Sequence, residues 1–123
     1  MAILSPHVSI ITLNVNGLNY PIKRHRVAGW IKEQEPTICC LQETHLSSRD
    51  IYRLRVKGWR TIVQANGKLK KAGVVILISD KVEFKIRKVK PDKEGQYIMI
   101  KGTFHQEEIT KISMHPTQEH QST

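Results

Sequence analysis

Two polar side chains end two apolar runs in this chain, and they are the residues best placed to do chemistry. Asn14 follows the run Val8–Leu13, and Glu43 follows the run Thr37–Gln42. A carboxylate can hold a hard divalent cation through its oxygens. A neighbouring amide can donate to a phosphate oxygen and accept from a metal-bound water. Placed side by side, the two groups would form the beginning of a metal-assisted phosphoester site.

An amphipathic pattern between the two runs predicts how these side chains meet. Pro21 suits the first turn of a helix, and Pro36 ends the pattern. The apolar residues expected near one face are Ile22, Val27, Trp30 and Ile31. A strand–helix–strand crossover is almost always right-handed and leaves its strands parallel. Parallel strands end at the same sheet edge, where ligands of open α/β sheets tend to bind, so Asn14 and Glu43 should converge there.

Each of these residues also has an ordinary structural interpretation. Glu43 can be a surface glutamate, and Asn14 can be a turn former ahead of Gly17. His45 can contact a phosphate or transfer a proton, or it can be a partly exposed loop histidine. Asn14 and Glu43 together, at matched strand ends, are a more specific signal than either residue alone.

The rest of the chain predicts a mixed α/β sheet. Ser47–Leu54 reads as a short helix or turn, and further strands are expected over residues 59–64, 73–79, 82–89 and 96–104. Short connections make these later strands hairpins. Trp30 and Trp59 are expected in the core. Cys39 and Cys40 are adjacent in a strand, so they point to opposite faces and can neither pair nor bind one ion, which fits a reducing compartment.

The charge of the chain indicates a polyanionic partner. Its 123 residues allow one small domain, with a net charge of +9 and a pI near 9.8. Nucleic acid is the first candidate and an acidic membrane surface the second. Two basic clusters can neutralise phosphates or simply be solvated. They are Lys23, Arg24 and Arg26 on the helix, and Lys68, Lys70 and Lys71 in a loop.

Several other classes of protein are disfavoured by the sequence. No apolar run is long enough to span a bilayer, and the N-terminal residues lack a signal peptide pattern. We therefore expect an intracellular protein, nuclear or cytoplasmic, and not a secreted one. The group His105, Glu107, Glu108, His115 and His120 meets none of the zinc-site spacings.

The motifs resemble the N-terminal half of the endonuclease domain of LINE retrotransposon polyproteins, a branch of the endonuclease/exonuclease/phosphatase family. The resemblance runs from about residue 7 to residue 110. The segments that carry it are ITLNVNGLN (11–19), IKRHR (22–26), CCLQETHL (39–46), KGWR (57–60), QANGK (64–68), KKAGV (70–74) and DKEGQYIMIKG (92–102).

This resemblance implies a fold, an activity and roles for residues. The fold would be half of a four-layer α/β sandwich, and the activity would be Mg²⁺-dependent nicking of DNA. Glu43 matches the family's magnesium-ligand glutamate, and Asn14 matches its active-site asparagine. Gln42 and Thr44 match the flanks of that glutamate, as groups that support it without touching the metal.

Departures from the family pattern lead us to expect an inactive derivative. The family's Gly-Asp-Phe-Asn and Ser-Asp-His segments do not occur in these 123 residues. One carboxylate cannot both complete a magnesium site and activate water. With most of one sheet encoded and the second sheet absent, an apolar inner face would also be left exposed.

The end of the sequence suggests a division at residue 110. Residues 114–120 read Met-His-Pro-Thr-Gln-Glu-His. Shifting the codons of the family's Tyr-Ala-Pro-Asn segment by one base gives the same residues except at Thr117. We therefore expect a truncated family domain over residues 1–110 and a non-family, disordered tail over 111–123.

Two function hypotheses follow. The first is a truncated LINE-type endonuclease derivative, inactive alone, whose ancestral reaction is Mg²⁺-dependent DNA nicking. The alternative is a non-catalytic module that binds nucleic acid or protein through the basic surface.

Overall fold

The computed structural model describes the backbone of residues 2–5, 8–47, 49–65, 73–91, 98–104 and 107–114. These residues form eight strands, one α-helix and a single 3₁₀ turn. The elements are β1 (Ala2–Ser5), β2 (Val8–Asn14), α1 (Pro21–Gln34), β3 (Ile38–Gln42), the 3₁₀ turn (Ile51–Arg53), β4 (Thr61–Ala65), β5 (Val74–Ile78), β6 (Phe84–Pro91), β7 (Ile98–Phe104) and β8 (Glu107–Met114).

The larger sheet has five strands in the order β1-β2-β3-β5-β4. β2 and β3 are parallel and are joined through α1, as the crossover pattern predicts. β3 and β5 are antiparallel, and β4 and β5 form a hairpin. The sheet is therefore mixed, which confirms the predicted fold class.

The two central strands are buried along their whole length. Every residue of β3 and β5 is buried, because layers of the molecule cover both faces of these strands. Continuous apolar runs, Ile-Cys-Cys-Leu and Val-Val-Ile-Leu-Ile, suit strands of this kind. β4 pairs with β5. Its residues are exposed at Thr61, partly buried over 62–64 and buried at Ala65.

A second, three-stranded sheet covers one face of the first. β6, β7 and β8 are consecutive antiparallel strands. Ile98 and Ile100 of β7 are fully buried in the same core cluster as Ile38, Cys40 and Ile76. We call this face of the larger sheet the inner face. The expectation that it would be exposed is wrong, since Ile98 and Ile100 of β7 and Phe84 and Ile86 of β6 pack opposite it.

The opposite, outer face is covered by α1 and by the segment that follows β3. Val27, Ala28 and Ile31 are the buried residues of the helix. Ile22 was expected on this face but is 69% exposed. It precedes Val27 by five residues, and at about 100° per residue this rotation carries it away from the sheet.

The ends of α1 and the positions of the two tryptophans agree in most respects with the predictions from the sequence. The helix begins at Pro21, and it ends at Gln34 because Glu35 adopts a left-handed backbone with φ of 49° just before Pro36. Trp59 is buried, and its indole N–H donates to the Pro36 carbonyl at 2.9 Å. Trp30 is half-buried and packs against the outer core.

Some predictions fall on residues outside the described ranges. They are the turn at residues 66–68, the loop at 92–95 and the end of the tail from residue 115 onward. β8 extends from Glu107 to Met114, and the division of the chain at residue 110 stays a prediction. No helix in the described part of the chain combines the length and the apolar character needed to cross a membrane.

The two cysteines lie on opposite faces of β3. Cys39 belongs to the outer core cluster and Cys40 to the inner one, and both are free thiols. Burial raises the pKa of the Cys39 thiol from 9.0 to about 12. Burial, with a smaller contribution from Cys39, also raises the pKa of Cys40. Neither thiol is therefore ionised or accessible in the folded chain.

We expect both thiols to resist a soluble disulfide reagent at about pH 8 and to react once the chain is unfolded in urea. A raised thiol pKa stabilises the folded state fully below pH 9.0 and progressively less as pH rises toward 12. Above pH 9.0, the free energy of unfolding measured in urea should therefore fall by ~1.4 kcal/mol per thiol for each pH unit. The free energy of unfolding of a Cys39→Ala/Cys40→Ala variant should fall less over the same pH range. Rapid labelling of both thiols in the native state would contradict this burial.

Candidate active site

The site is built where β2 and β3 end together. Asn14 lies opposite Gln42 in the parallel register. The pairing continues past the strands, since the Val15 amide donates to the Gln42 carbonyl at 3.0 Å and the Gly17 amide to the Glu43 carbonyl at 2.7 Å. The Leu18 amide then donates to the Thr44 carbonyl at 2.8 Å. The two loops are thus held to each other residue by residue.

This pairing places Asn14 and Glu43 in direct contact. The Asn14 side-chain amide donates to Oε2 of Glu43 at 2.5 Å. Oδ1 of Asn14 accepts from the Asn16 backbone amide at 3.0 Å, which is the hydrogen bond of an Asx turn. Asn14 is therefore both a turn former and the partner of the carboxylate. Because one carboxylate oxygen is fixed by the amide, the orientation of the whole Glu43 carboxyl group is set.

Three residues of these loops have left-handed backbone conformations. Their φ values are 48° at Asn16, 53° at Glu43 and 59° at His45. Asparagine tolerates this region, whereas glutamate and histidine do so at a cost of roughly 1–3 kcal/mol each. The inter-loop hydrogen bonds hold Glu43 in this conformation. The turn that results directs its side chain back toward Asn14.

Gly73, the residue before β5, also contacts the site. The Thr44 amide donates to the Gly73 carbonyl at 3.1 Å. Gly73 has φ of 119°, and a Cβ at this position would collide with Oγ1 of Thr44. A Cβ at Gly17 would lie 2.7 Å from Nδ1 of His45. Both glycines are required by close approach as well as by backbone conformation.

Gln42 and Thr44, the predicted flanks of the glutamate, are both buried. Gln42 is the last residue of β3, and Thr44 is completely enclosed. Oγ1 of Thr44 accepts from the Leu46 amide at 3.4 Å. Thr44 thus bonds to two other segments, at Leu18 and Gly73, and once within its own loop, and it anchors the loop that carries Glu43.

Two cationic side chains of α1 bond to the loop of the candidate site, which a purely solvated helix face would not do. The Lys23 ammonium donates to the Asn16 carbonyl at 2.9 Å. Nη1 of Arg24 donates to the carbonyls of Leu18 and Asn19, both at 3.0 Å. These two side chains bind the loop, whereas Arg26 is exposed. Lys68, Lys70 and Lys71 lie outside the described residues.

His45 is half-buried beside this loop. Its backbone carbonyl accepts from the Asn19 side-chain amide at 3.2 Å. Its Nε2 atom is buried and has no hydrogen-bond partner among the described residues. The imidazole packs against Gly17, so within the described structure its contacts are structural.

The donor set at this edge fits one ligand position of a hard divalent cation. Glu43 presents an oriented carboxylate, and Mg²⁺ is commonly held by one or two carboxylates together with waters and substrate phosphates. Within the described residues, no group of three or more His, Cys, Asp or Glu side chains is gathered at any point. The Glu43 carboxylate could therefore supply one ligand to such a cation, with His45 as a further titratable side chain in the same loop.

Sequence reasoning missed the two supporting glycines and the loop contacts of Lys23 and Arg24. Asn16-Gly17 carried a visible turn signal, but its packing against His45 is a contact across 28 residues. Gly73 marked only the start of an apolar run. No local pattern indicates that it meets Thr44.

A family model described as the Endonuclease/Exonuclease/phosphatase family matches residues 11–118 of this chain. Similar folds occur among solved structures. Truncated Caenorhabditis elegans TDP2 aligns with a TM-score of 0.67 at 20% identity, covering 94% of this chain and 49% of that one. The AP endonuclease LMAP of Leishmania major aligns with a TM-score of 0.60 at 19% identity, covering 78% of this chain and 35% of that one. The chain thus spans half or less of the length of these proteins.

We expect Gly73→Ala to destabilise the chain by about 1–3 kcal/mol, because alanine is strained at this φ and its Cβ meets Thr44. Gly29→Ala is the matched control. Gly29 is helical, an added Cβ there meets nothing within 4 Å, and alanine should stabilise α1 by about 1 kcal/mol. Urea unfolding of both variants measures the difference. Equal effects at the two positions would show that Gly73 has no special packing role.

Proposed function

Because the chain belongs to the endonuclease/exonuclease/phosphatase family, we propose that it carries the metal-carboxylate half of a DNA phosphodiesterase site of the LINE type. The observation that supports this most strongly is the Asn14–Glu43 hydrogen bond at the shared end of two parallel strands. A carboxylate fixed by an amide, at a sheet edge and beside a lysine, is suited to phosphate chemistry. The LINE assignment rests on the sequence segments named above.

In this proposal Glu43 is the protein ligand of Mg²⁺. Asn14 fixes one carboxylate oxygen, so that the carboxylate is oriented before the ion arrives. When bound, Mg²⁺ supplies charge stabilisation to the oxygens of a scissile phosphate. Gln42 and Thr44 hold the loop, and Lys23 adds positive charge next to it. Nucleic acid is attracted by the net charge of +9.

The same geometry leads us to propose that the 123 residues alone do not cleave DNA. Hydrolysis needs a group that activates water, within hydrogen-bond reach of the attacking oxygen. Near Glu43 the described residues offer His45, whose ring packs against Gly17, and they bring together no group of three or more His, Cys, Asp or Glu side chains. The missing acid and base would come from family segments that these residues do not contain.

A second candidate function is nucleic-acid binding without chemistry. It is favoured by grooves on the outer face of the molecule that are lined by arginine and lysine. Salt-dependent binding of DNA, with no cleavage under any metal condition, would support this candidate over the first.

Binding of Mn²⁺, used as a paramagnetic substitute for Mg²⁺, tests the role of Glu43. We expect selective broadening of the backbone NMR signals of residues 14–17 and 43–45. Glu43→Ala should abolish this broadening, and Asn14→Ala should weaken metal binding by about 10–100-fold, because the carboxylate loses its orienting partner. Asn19→Ala is the control, since its amide bonds to the His45 carbonyl and not to Glu43. Broadening that survives Glu43→Ala would exclude Glu43 as the ligand.

Nicking of supercoiled plasmid with Mg²⁺ tests the catalytic half of the proposal. The chain alone should show no nicking. Joined to a family segment that supplies the missing acid and histidine, it should nick, and Glu43→Ala in that fusion should remove the activity. Robust nicking by the chain alone, abolished by Glu43→Ala, would show that the site is complete without further segments. Activity that survives the substitution in either protein would come from a contaminant.

A further inference from the structure

Two adjacent grooves lie on the outer face of the molecule, away from the Asn14–Glu43 pair. The first, of about 310 Å³, lies between α1 and the segment around the 3₁₀ turn, and its cationic side chains are Arg24, Lys32, Arg53 and Arg55. The second, of about 540 Å³, lies between that segment and β4. Lys32 and Arg55 line both grooves. The two grooves therefore form one continuous depression, which we call the outer groove.

The two parts of the outer groove are lined by basic and by no acidic side chains, whereas a third groove that shares Lys32, Lys57 and Trp59 with the second part is also lined by Glu35 and Asp80. The charged lining residues of the outer groove are Arg24, Lys32, Arg53, Arg55, Lys57 and Arg60. The chain as a whole has 11 acidic residues for 20 basic ones. A surface with that average composition would include about one acidic residue for every two basic ones, so the groove is a local concentration of positive charge. Such a concentration attracts a polyanion at close range.

Carboxylates around the groove neutralise only some of these cations. Asp80 pairs with Arg60 at 3.0 Å, and Asp50 lies 3.6 Å from Arg53. Nε of Arg55 donates to the Tyr52 carbonyl at 3.1 Å, which fixes the side chain without cancelling its charge. Lys32 and Arg55, the two residues shared by both parts, keep their charge at the centre of the groove.

The second part of the groove has an apolar floor and an exposed aromatic wall. Leu54, Val56 and Trp59 are buried beneath it. Tyr52 stands at its side and is 58% exposed. The Arg53 guanidinium carbon lies 5.9 Å from the centroid of the Tyr52 ring, within cation–π range. A planar base can lie against this apolar floor, while the cations Lys57 and Arg60 in the same part can face phosphates.

We propose that the outer groove binds single-stranded nucleic acid. The backbone phosphates lie along the basic part, on Arg24, Lys32 and Arg55, and an unpaired base enters the apolar part and stacks on Tyr52. A charged track beside an aromatic platform is the chemistry of single-strand recognition. A duplex keeps its bases stacked inside and offers nothing to the apolar part. This surface is separate from the Asn14–Glu43 site and does not depend on cleavage.

The position of Arg24 connects the two surfaces. Its guanidinium lines the groove, while Nη1 bonds to Leu18 and Asn19 in the loop of the candidate site. Arg24 therefore contacts both the groove and the loop between β2 and α1.

The test is binding of a fluorescein-labelled oligothymidylate of about twelve nucleotides, followed by anisotropy at low salt. Lys32→Glu/Arg55→Glu should weaken binding about tenfold or more and reduce its salt dependence. The control is Lys88→Glu/Lys90→Glu, which makes the same change in net charge at exposed positions of β6. Equal losses in the two double variants would show that binding follows overall charge, and they would overturn the proposal.

Substitutions of Tyr52 distinguish base stacking from attraction between charges. Tyr52→Ala should weaken oligothymidylate binding about tenfold, leave heparin binding unchanged, and be rescued by Tyr52→Phe. Tyr52 is exposed, so circular dichroism of all three proteins should agree. No effect of Tyr52→Ala, or equal affinity for a duplex of the same length, would refute the single-strand assignment.

Discussion

The parallel register of β2 and β3, extended into the loops beyond them, is the constraint on which the site depends. Three inter-loop hydrogen bonds join residues 15–18 to residues 42–44, and a fourth ties Thr44 to Gly73. These bonds hold Glu43, whose φ is 53°, in a position where its carboxylate is within reach of the Asn14 amide. Backbone geometry, rather than an attraction between charges, thus determines where the carboxylate lies.

The sequence predicted those parts of the structure that depend on local pattern. The crossover, the convergence of Asn14 and Glu43 and the opposite orientation of Cys39 and Cys40 all follow from strand and helix periodicity. The prediction that Ile22 lies on the buried face was wrong, because the rotation of about 140° around the helix axis between Ile22 and Val27 was not considered. The support from Gly73 was not predictable, since it depends on a contact between segments nearly thirty residues apart.

Coverage of the inner face shows how a limited set of strands can form a folded unit. Ile98 and Ile100 lie against side chains of β3 and β5, so the central strands are covered on both sides. The outer face has its own core beneath α1. The two faces then serve different purposes: the inner core supports the sheet edge with Asn14 and Glu43, and the outer layer forms the basic groove.

The order of strands in the larger sheet has a consequence for the time course of folding. β6, β7 and β8 are neighbours in sequence and pair through short connections, and so do β4 and β5 in the larger sheet. β3 must instead find β2 across a whole helix and β5 across β4. Closing longer loops costs more entropy and slows assembly. We therefore expect the hairpins to form early and the edge that carries Asn14 and Glu43 to be completed among the last steps, so that a newly made chain is compact before this edge exists.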